Sequence, residues 1–162
     1  MQHLYAPWRT EYIMQKVEGC VFCNIASSPE LDDEHQVLFR NEDLFVVINK
    51  YPYTPGHFMV IPILHTDKVE ALPAEVWMAM SIKVQESVRL LKEGFGADGV
   101  NIGMNLGQSA GAGIAEHVHY HLVPRFSRDT NFITTIADVR VYPTDFARIY
   151  HKLVELAPKY FS

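Results

Sequence analysis

The chain carries the run HVHYHLVPR at residues 117–125, in which histidines alternate with apolar residues. A period of two is typical of a β-strand, because successive side chains of a strand point to opposite faces of its sheet. The run therefore places His117, His119 and His121 on one face, and the valine, tyrosine and leucine between them on the other. We expect the apolar face to pack against a core and the histidine face to line a polar cleft.

Three shorter β-rich runs precede this strand, at Val37 to Arg40, Leu44 to Asn49 and His57 to Pro62. Turn-forming residues separate them, which predicts an antiparallel meander. A fourth run, Gly99 to Asn105, predicts another strand. The stretch from Ala26 to Glu34 is rich in serine, proline and acidic residues, and this composition indicates an acidic surface loop.

Helical periodicity begins after the third run. Apolar residues recur every three or four positions from Pro73, and Gly94 and Gly96 suit the end of one long helix. Thr144 to Leu156 has the pattern of a C-terminal helix, and Thr130 to Val141 favours a further strand. Together the patterns predict an α+β fold, with an antiparallel sheet of about five strands, one long helix and a C-terminal helix.

Length and composition indicate one globular domain over residues 1–162. Residues 1–25 form an N-terminal segment and residues 127–162 a C-terminal extension. The hydrophobic share of 48% and the charged share of 20% argue against disorder.

The charge and the absence of long apolar runs limit the expected partners. A net charge of -5 disfavours a general nucleic-acid binder, which usually carries a basic face. No apolar run approaches the roughly 20 residues that span a bilayer. The opening MQHLYAPWRTEYI lacks the pattern of a secretory signal. We expect a cytoplasmic protein without nucleic-acid or membrane partners.

The three histidines allow two chemistries. Imidazoles on one face can ligate a metal, and a neutral imidazole can attack phosphorus to form a covalent intermediate. The loop from Gly107 to Gly113 stands just upstream, and its small residues let backbone amides approach an anion. This neighbour favours phosphoryl or nucleotidyl transfer, which depends on positioning and charge neutralisation.

Cys20 and Cys23 have the CxxC spacing. In a chain without a secretory signal, this spacing indicates metal ligation or redox chemistry before a structural disulfide. A reduced pair of packing cysteines is the alternative.

The run at 117–125 resembles the signature of the histidine-triad (HIT) superfamily, His-φ-His-φ-His-φ-φ, where φ is hydrophobic. NKYPYTPGHFMVIP at 49–62 is similar to the family's strand-turn-strand, and NLGQSAGAGIAE at 105–116 to its phosphate loop. LYAPWRTEYI, GCVFCNI and RDTNF resemble one branch in particular. That branch contains bacterial and archaeal diadenosine tetraphosphate phosphorylases (ATP adenylyltransferases) and fragile-histidine-triad hydrolases.

The resemblance implies a HIT-like fold and a role for each histidine. His119 matches the nucleophile that attacks the α-phosphorus of a nucleotide and forms a nucleotidyl-histidine. His117 and His121 match residues that contact the phosphate and orient the nucleophile. His57 matches a fourth histidine on an adjacent strand.

The resemblance also implies a set of nucleotide contacts. Asn49 matches a residue that binds ribose hydroxyls, and Asn105 and Gly113 match phosphate-contacting positions. Leu44 and Phe45 are expected to line the base pocket.

A structural zinc site is implied by the same likeness. Its ligands would be Cys20, Cys23, His65 and His117, which would make His117 a metal ligand instead of a phosphate contact. No organic cofactor is expected. Family members are typically homodimers whose sheets join, so we expect a homodimer.

The expected activity is cleavage of a dinucleoside polyphosphate through nucleotidyl-His119, with phosphate or water as the acceptor. Two alternatives stand beside it. One is hydrolysis of nucleoside phosphoramidates, as in the smaller family members, and the other is a nucleotide- or zinc-binding module without significant turnover.

Overall fold

A computed structural model describes residues 18–127 and 145–162, and within them five strands form one antiparallel sheet in the order β1-β2-β3-β5-β4. The strands are β1 (Val37–Arg40), β2 (Leu44–Ile48), β3 (Phe58–Pro62), β4 (Gly99–Gly103) and β5 (Tyr120–Arg125). The first three follow one another as the predicted meander. β5 then lies beside β3 and leaves β4 at the edge.

In the described part of the chain, four α-helices accompany the sheet: α1 (Val21–Ala26), α2 (Asp32–His35), α3 (Ala74–Arg89) and α4 (Phe146–Tyr160). A π-helical turn, Leu90–Gly94, extends α3, so the long helix ends where its glycines predict. α4 confirms the C-terminal helix and continues four residues beyond the predicted end. In the parts of the chain that the structure describes, each helix is too short or too polar to cross a membrane.

The two faces of the sheet pack against different partners. On one face, Val46, Val60 and Leu122 join a cluster with buried residues of α3 and α4. On the other face, β2 and β3 present Phe45, Val47, Met59 and Ile61 to Phe22 and Ile25 of α1. His121 pairs with Met59 across the β3–β5 ladder, so it lies on the α1 side of the sheet.

The turn before β3 holds His57 against β5. Gly56 has φ +86°, a conformation that favours glycine, and a Cβ there would lie 2.6 Å from Cε1 of Phe95. The buried Thr54 hydroxyl donates to the carbonyl of Pro124 at 2.8 Å. The proline- and glycine-rich turn therefore packs closely against Phe95, just after the π-helical turn, and is hydrogen-bonded to β5.

Arg40 ties α1 and α2 to the sheet. Its guanidinium donates to Asp32 at 3.0 and 2.5 Å, to the carbonyl of Ala26 at 3.1 Å and to that of Ile25 at 2.9 Å. The carbonyls at the end of a helix have no intrahelical donor, and a nearby cation stabilises them. One side chain on β1 thus fixes the end of α1.

Two sequence predictions are wrong and one lies outside the described residues. Ala26 to Glu34 is not a plain loop, because it contains a 3-10 turn at Pro29–Leu31 and the start of α2. The regular strand predicted from His117 begins only at Tyr120. Pro62 would face Val118 in this register, and without an N–H it cannot extend the ladder. The strand predicted over Thr130 to Val141 falls on residues that are not described.

Candidate active site and metal centre

His57 and His121 form a hydrogen-bonded pair on the α1 side of the sheet. Nε2 of His57 lies 3.0 Å from Nδ1 of His121. The backbone N–H of Tyr53 donates to Nδ1 of His57 at 3.1 Å, so a neutral His57 carries its proton on Nε2. Nε2–H of His57 donates to Nδ1 of His121, which is therefore the acceptor. His121 consequently keeps its own proton on Nε2, the nitrogen that remains available to a ligand.

His119 has the opposite tautomer. Its Nδ1 lies 2.8 Å from the carbonyl oxygen of His117, and because a carbonyl only accepts, Nδ1 must carry the proton. Nε2 of the neutral ring then bears a lone pair. The rings of His119 and His121 are 4.8 Å apart, and Phe22 of α1 packs edgewise on His119 at 5.0 Å. A nucleophilic nitrogen and an N–H donor therefore stand side by side.

Burial keeps these imidazoles neutral. Desolvation, with the neighbouring His121 and His119, lowers the pKa of His57 to about 3. Desolvation and His119 lower the pKa of His121 to about 4. Burial also lowers the pKa of His119, which is only 4% exposed.

Cys20, Cys23, His65 and His117 converge at one point and could hold a metal ion, with all four ligand atoms within 4.8 Å of one another. Nδ1 of His117 lies 3.4 Å from Sγ of Cys20, 3.7 Å from Sγ of Cys23 and 3.3 Å from Nδ1 of His65. A tetrahedral zinc shell has edges of about 3.3 Å between nitrogens and about 3.6 Å between nitrogen and sulfur. The donor set therefore fits a tetrahedral ion.

The orientation of His117 suits ligation. Its Nε2 lies 2.9 Å from the carbonyl oxygen of Pro62, so Nε2 carries the proton and Nδ1 faces the cysteines with a lone pair. The backbone N–H of Val118 donates to the carbonyl of Thr66 at 2.8 Å, which holds His65 beside His117. The side chain of His117 is thus directed to the metal group, while its carbonyl is directed to His119.

An open pocket of about 920 Å³ lies between α1 and the sheet. Its apolar walls are Val21, Phe22 and Ile25 from α1 and Val47 and Met59 from the sheet. Its polar lining includes Gln36, Asn49 and Gly113. The size and the mixed lining are typical of a site for a small organic ligand.

Of the three other residues predicted to contact the nucleotide, two line the pocket and one lies outside its lining. Asn49 lines the pocket; its Oδ1 accepts the N–H of Tyr51 at 2.9 Å, and its Nδ2 lies 3.4 Å from the His57 ring. Gly113 also lines the pocket, whereas Asn105 follows β4 in a loop and is half-buried outside that lining.

Leu44 and Phe45, which we expect to line the base pocket, lie outside the lining of this pocket. Both side chains are fully buried, and alternation along β2 sends them to opposite faces of the sheet. Leu44 lies in the cluster under α3, and Phe45 packs in the second cluster. Val47, two residues further along the same face as Phe45, lines the pocket instead.

Several site residues escape the sequence patterns. Phe22, Met59 and Gln36 line the pocket, and the carbonyl of Pro62 orients His117. Phe22 has a weak signal, since it stands between the two cysteines of the CxxC. Backbone acceptors and Gln36 have none, because their roles depend on tertiary placement.

A model of the HIT domain matches residues 30–128 of the chain. The chain belongs to the HIT family. Its sheet and helices are the α+β HIT fold.

Several HIT relatives are named as enzymes. Over 151 residues the chain is 36% identical to a protein of Mycobacterium tuberculosis named AP-4-A phosphorylase, with 88% of this chain and 77% of that protein covered. It is 31% identical over 97 residues to the bis(5'-adenosyl)-triphosphatase of Dictyostelium discoideum, with 60% and 64% covered. A zinc-bound histidine triad family protein from Mycobacterium smegmatis superposes with a TM-score of 0.70 at 31% identity, covering 87% of this chain and 94% of that chain.

The hydrogen-bond directions predict the NMR spectrum of the imidazoles. We expect His57 and His121 to remain neutral and protonated on Nε2 at pH 6, because burial holds their pKa values near 3 and 4. Both lie below the ordinary 6.5, so the unfolded chain binds more protons and stability falls as pH drops from 6.5 towards 4. Long-range ¹H–¹⁵N correlation spectra check the tautomers. Titration of His57 or His121 near pH 6.5 would contradict the arrangement.

Proposed function

We propose that this HIT protein cleaves dinucleoside polyphosphates through a nucleotidyl-His119 intermediate, with inorganic phosphate as the acceptor. The observation that carries the proposal is the tautomer of His119: the 2.8 Å bond to the His117 carbonyl leaves Nε2 with a lone pair beside the N–H of His121. The 36% identity to a protein named AP-4-A phosphorylase supports the substrate class and the acceptor.

In the first step, the Nε2 lone pair of His119 attacks the α-phosphorus of the bound nucleotide. A P–N bond forms and the P–O bond to the rest of the polyphosphate breaks, so the leaving nucleotide departs with the electron pair. The ring becomes positively charged, and the His117 carbonyl stabilises this charge through Nδ1–H. Nε2–H of His121 is available to donate to a phosphate oxygen.

In the second step, an oxygen of inorganic phosphate attacks the same phosphorus and breaks the P–N bond. His119 is regenerated as the neutral ring, and the product is a nucleoside diphosphate. With diadenosine tetraphosphate the products are ATP and ADP. Water in place of phosphate would give ATP and AMP, the hydrolase outcome that the named triphosphatase relative represents.

The pocket offers a place for one nucleoside of the substrate. Asn49 lines the pocket beside His57. After its bonds to Tyr51 and His57, its amide keeps one oxygen lone pair and one N–H, which suit a ribose hydroxyl. The loop at 107–113 carries Gly107 and Gly111 with φ of +81° and +89°, and Gly113 lines the pocket. We assign phosphate contacts to this loop with Gly113, to Asn105 just before it, and to His121.

The assay that tests the function is incubation with diadenosine tetraphosphate, with and without phosphate. ADP and ATP are expected only when phosphate is present, and AMP would identify water as the acceptor. His119→Ala should lower kcat at least about 1,000-fold, since the nucleophile is lost, while nucleotide binding persists. His151→Ala, an exposed histidine on α4, is the matched control and should keep normal turnover. Turnover near normal in the His119 variant would exclude the mechanism.

We also propose that the metal is zinc and that its role is structural. Cys20, Cys23, His65 and His117 would complete a four-coordinate shell, which leaves no open position for substrate. The zinc-bound relative supports this identity. Such an ion would join the start of α1 to the chain before β5 and so hold the wall of the nucleoside pocket.

Removal of zinc is expected to weaken the fold more than the chemistry. We expect one zinc per chain, and Cys23→Ser should lose it and lower Tm by about 5–10 °C, since the lost binding energy acts on folding. Elemental analysis and thermal unfolding measure both effects, and His151→Ala should change neither. Full zinc content in the Cys23 variant would contradict the ligand set.

The edge strand supports the homodimer that the family resemblance implies. Ile102 of β4 is 48% exposed and pairs with Leu122, so it lies on the face that packs against α3. On α3, Met78 and Ile82 are 62% and 52% exposed, one turn apart. The open strand edge and these exposed apolar side chains are surfaces that a second copy of the chain could cover.

Charge introduced at this edge should separate the dimer. Ile102→Asp combined with Met78→Asp is expected to give a folded monomer, because a carboxylate cannot be buried unpaired at the interface. Light scattering after size exclusion measures the mass, and Lys92→Asp at an exposed position of the π turn serves as the control. An unchanged dimer in the double variant would exclude this surface.

A further inference from the structure

Gln36 has an unusual backbone for its residue type. It ends α2 in the left-handed region, with φ 61° and ψ 42°, and among the described residues no other non-glycine has positive φ. Glycine or asparagine usually occupies this position at a helix end. Two backbone hydrogen bonds hold it there: its N–H donates to Asp33 at 3.2 Å, and its carbonyl accepts from Ile48 at 3.1 Å.

The side chain of this constrained residue belongs to the nucleoside pocket. Gln36 is half-buried and lines the pocket together with the apolar walls from α1 and β2. Within residues 18–127 and 145–162, no protein group forms a hydrogen bond with its carboxamide. A strained backbone that holds an unpartnered amide at a half-buried position of the pocket points to a ligand contact.

The half-buried His35 also lines the pocket, but it is helical and carries an imidazole, and four further polar residues do not combine a free amide with a half-buried position. Asn49 already uses its amide on Tyr51 and His57, and the exposed Asn24 donates to the carbonyl of Glu18 at 3.3 Å. Glu34 and Glu116 are exposed carboxylates, which only accept. Gln36 provides a donor and an acceptor together at a half-buried position.

The chemistry of a primary amide selects among bases. A carboxamide matches the adenine edge, where N6–H₂ donates and N7 accepts, whereas guanine presents two acceptors, O6 and N7, at the same edge. We propose that Gln36 is the specificity-determining residue of the nucleoside pocket and that it selects adenine over guanine through this bidentate contact. The inference rests on the proposed function only in that the pocket holds a nucleoside.

Calorimetric titration with AMP and GMP tests the inference without turnover. The wild-type protein is expected to bind AMP about tenfold or more tightly than GMP, which is within the range of one bidentate contact. Gln36→Met keeps the length of the side chain and removes both polar atoms, so the two affinities should come within about twofold. Gln36→Arg, whose guanidinium matches O6 and N7, should reverse the preference.

A fold control and an activity readout separate the possible failures. Gln36→Gly suits the left-handed backbone, so it should keep Tm and still lose the preference. An AMP preference that persists in the Met and Gly variants would overturn the role of Gln36. Cleavage rates of diadenosine and diguanosine tetraphosphates, measured under the same conditions, report separately on the reaction. Absent cleavage with an intact, Gln36-dependent AMP preference would refute the proposed function and leave this inference standing.

Discussion

The hydrogen bond from His119 Nδ1–H to the carbonyl of His117 is the interaction on which the site depends. A carbonyl oxygen has no proton to give, so the bond fixes the tautomer and with it the position of the lone pair. In a buried ring, little water is present to compete for Nδ1. The chemistry of the strand therefore follows from a backbone atom two residues earlier, and the second backbone contact, from Tyr53 to His57, determines the opposite tautomer at His121.

Pro62 explains how one histidine serves two sites. Because proline has no N–H, the β3–β5 ladder ends there and the chain at 117–119 leaves the regular strand geometry. The free carbonyl of Pro62 accepts from Nε2 of His117 and turns Nδ1 towards the cysteines. The side chain of His117 thus faces the metal group while its carbonyl faces His119, which makes the two sites neighbours with separate atoms.

Local patterns in the sequence predicted most of the fold. The apolar runs of β2 and β3, the alternation along β5 and the period of α3 are properties of short segments, and burial of both sheet faces suits the apolar runs. α2 was missed because it is four residues long and lies in a polar stretch, where side chain composition favours a loop. The start of β5 differs from the prediction because Pro62, which is distant in sequence, ends the β3–β5 ladder.

The parts of the site whose chemistry depends on the type of side chain could be predicted from the sequence. The parts that depend on tertiary geometry could not. The five histidines and the two cysteines are conspicuous by residue type, and their convergence agrees with the motifs. Leu44 and Phe45 pack in the two apolar clusters outside the pocket lining, which the sequence does not indicate, because an apolar strand residue looks the same whether it lines a pocket or fills a core. The conformation of Gln36 depends on hydrogen bonds from two other elements, which no local pattern encodes.

The shortness of α1 has a consequence for the dynamics of the cleft. Six residues are far below the length at which a helix persists in water by itself, so α1 exists only through its tertiary contacts. Arg40 supplies contacts at the C-terminal end of α1, and the two cysteines lie at its N-terminal end. In hydrogen exchange, the amides of α1 and α2 would then open together as one unit, at a cost below that of global unfolding. The wall of the pocket is in this sense a cooperative element that can open while the sheet stays folded.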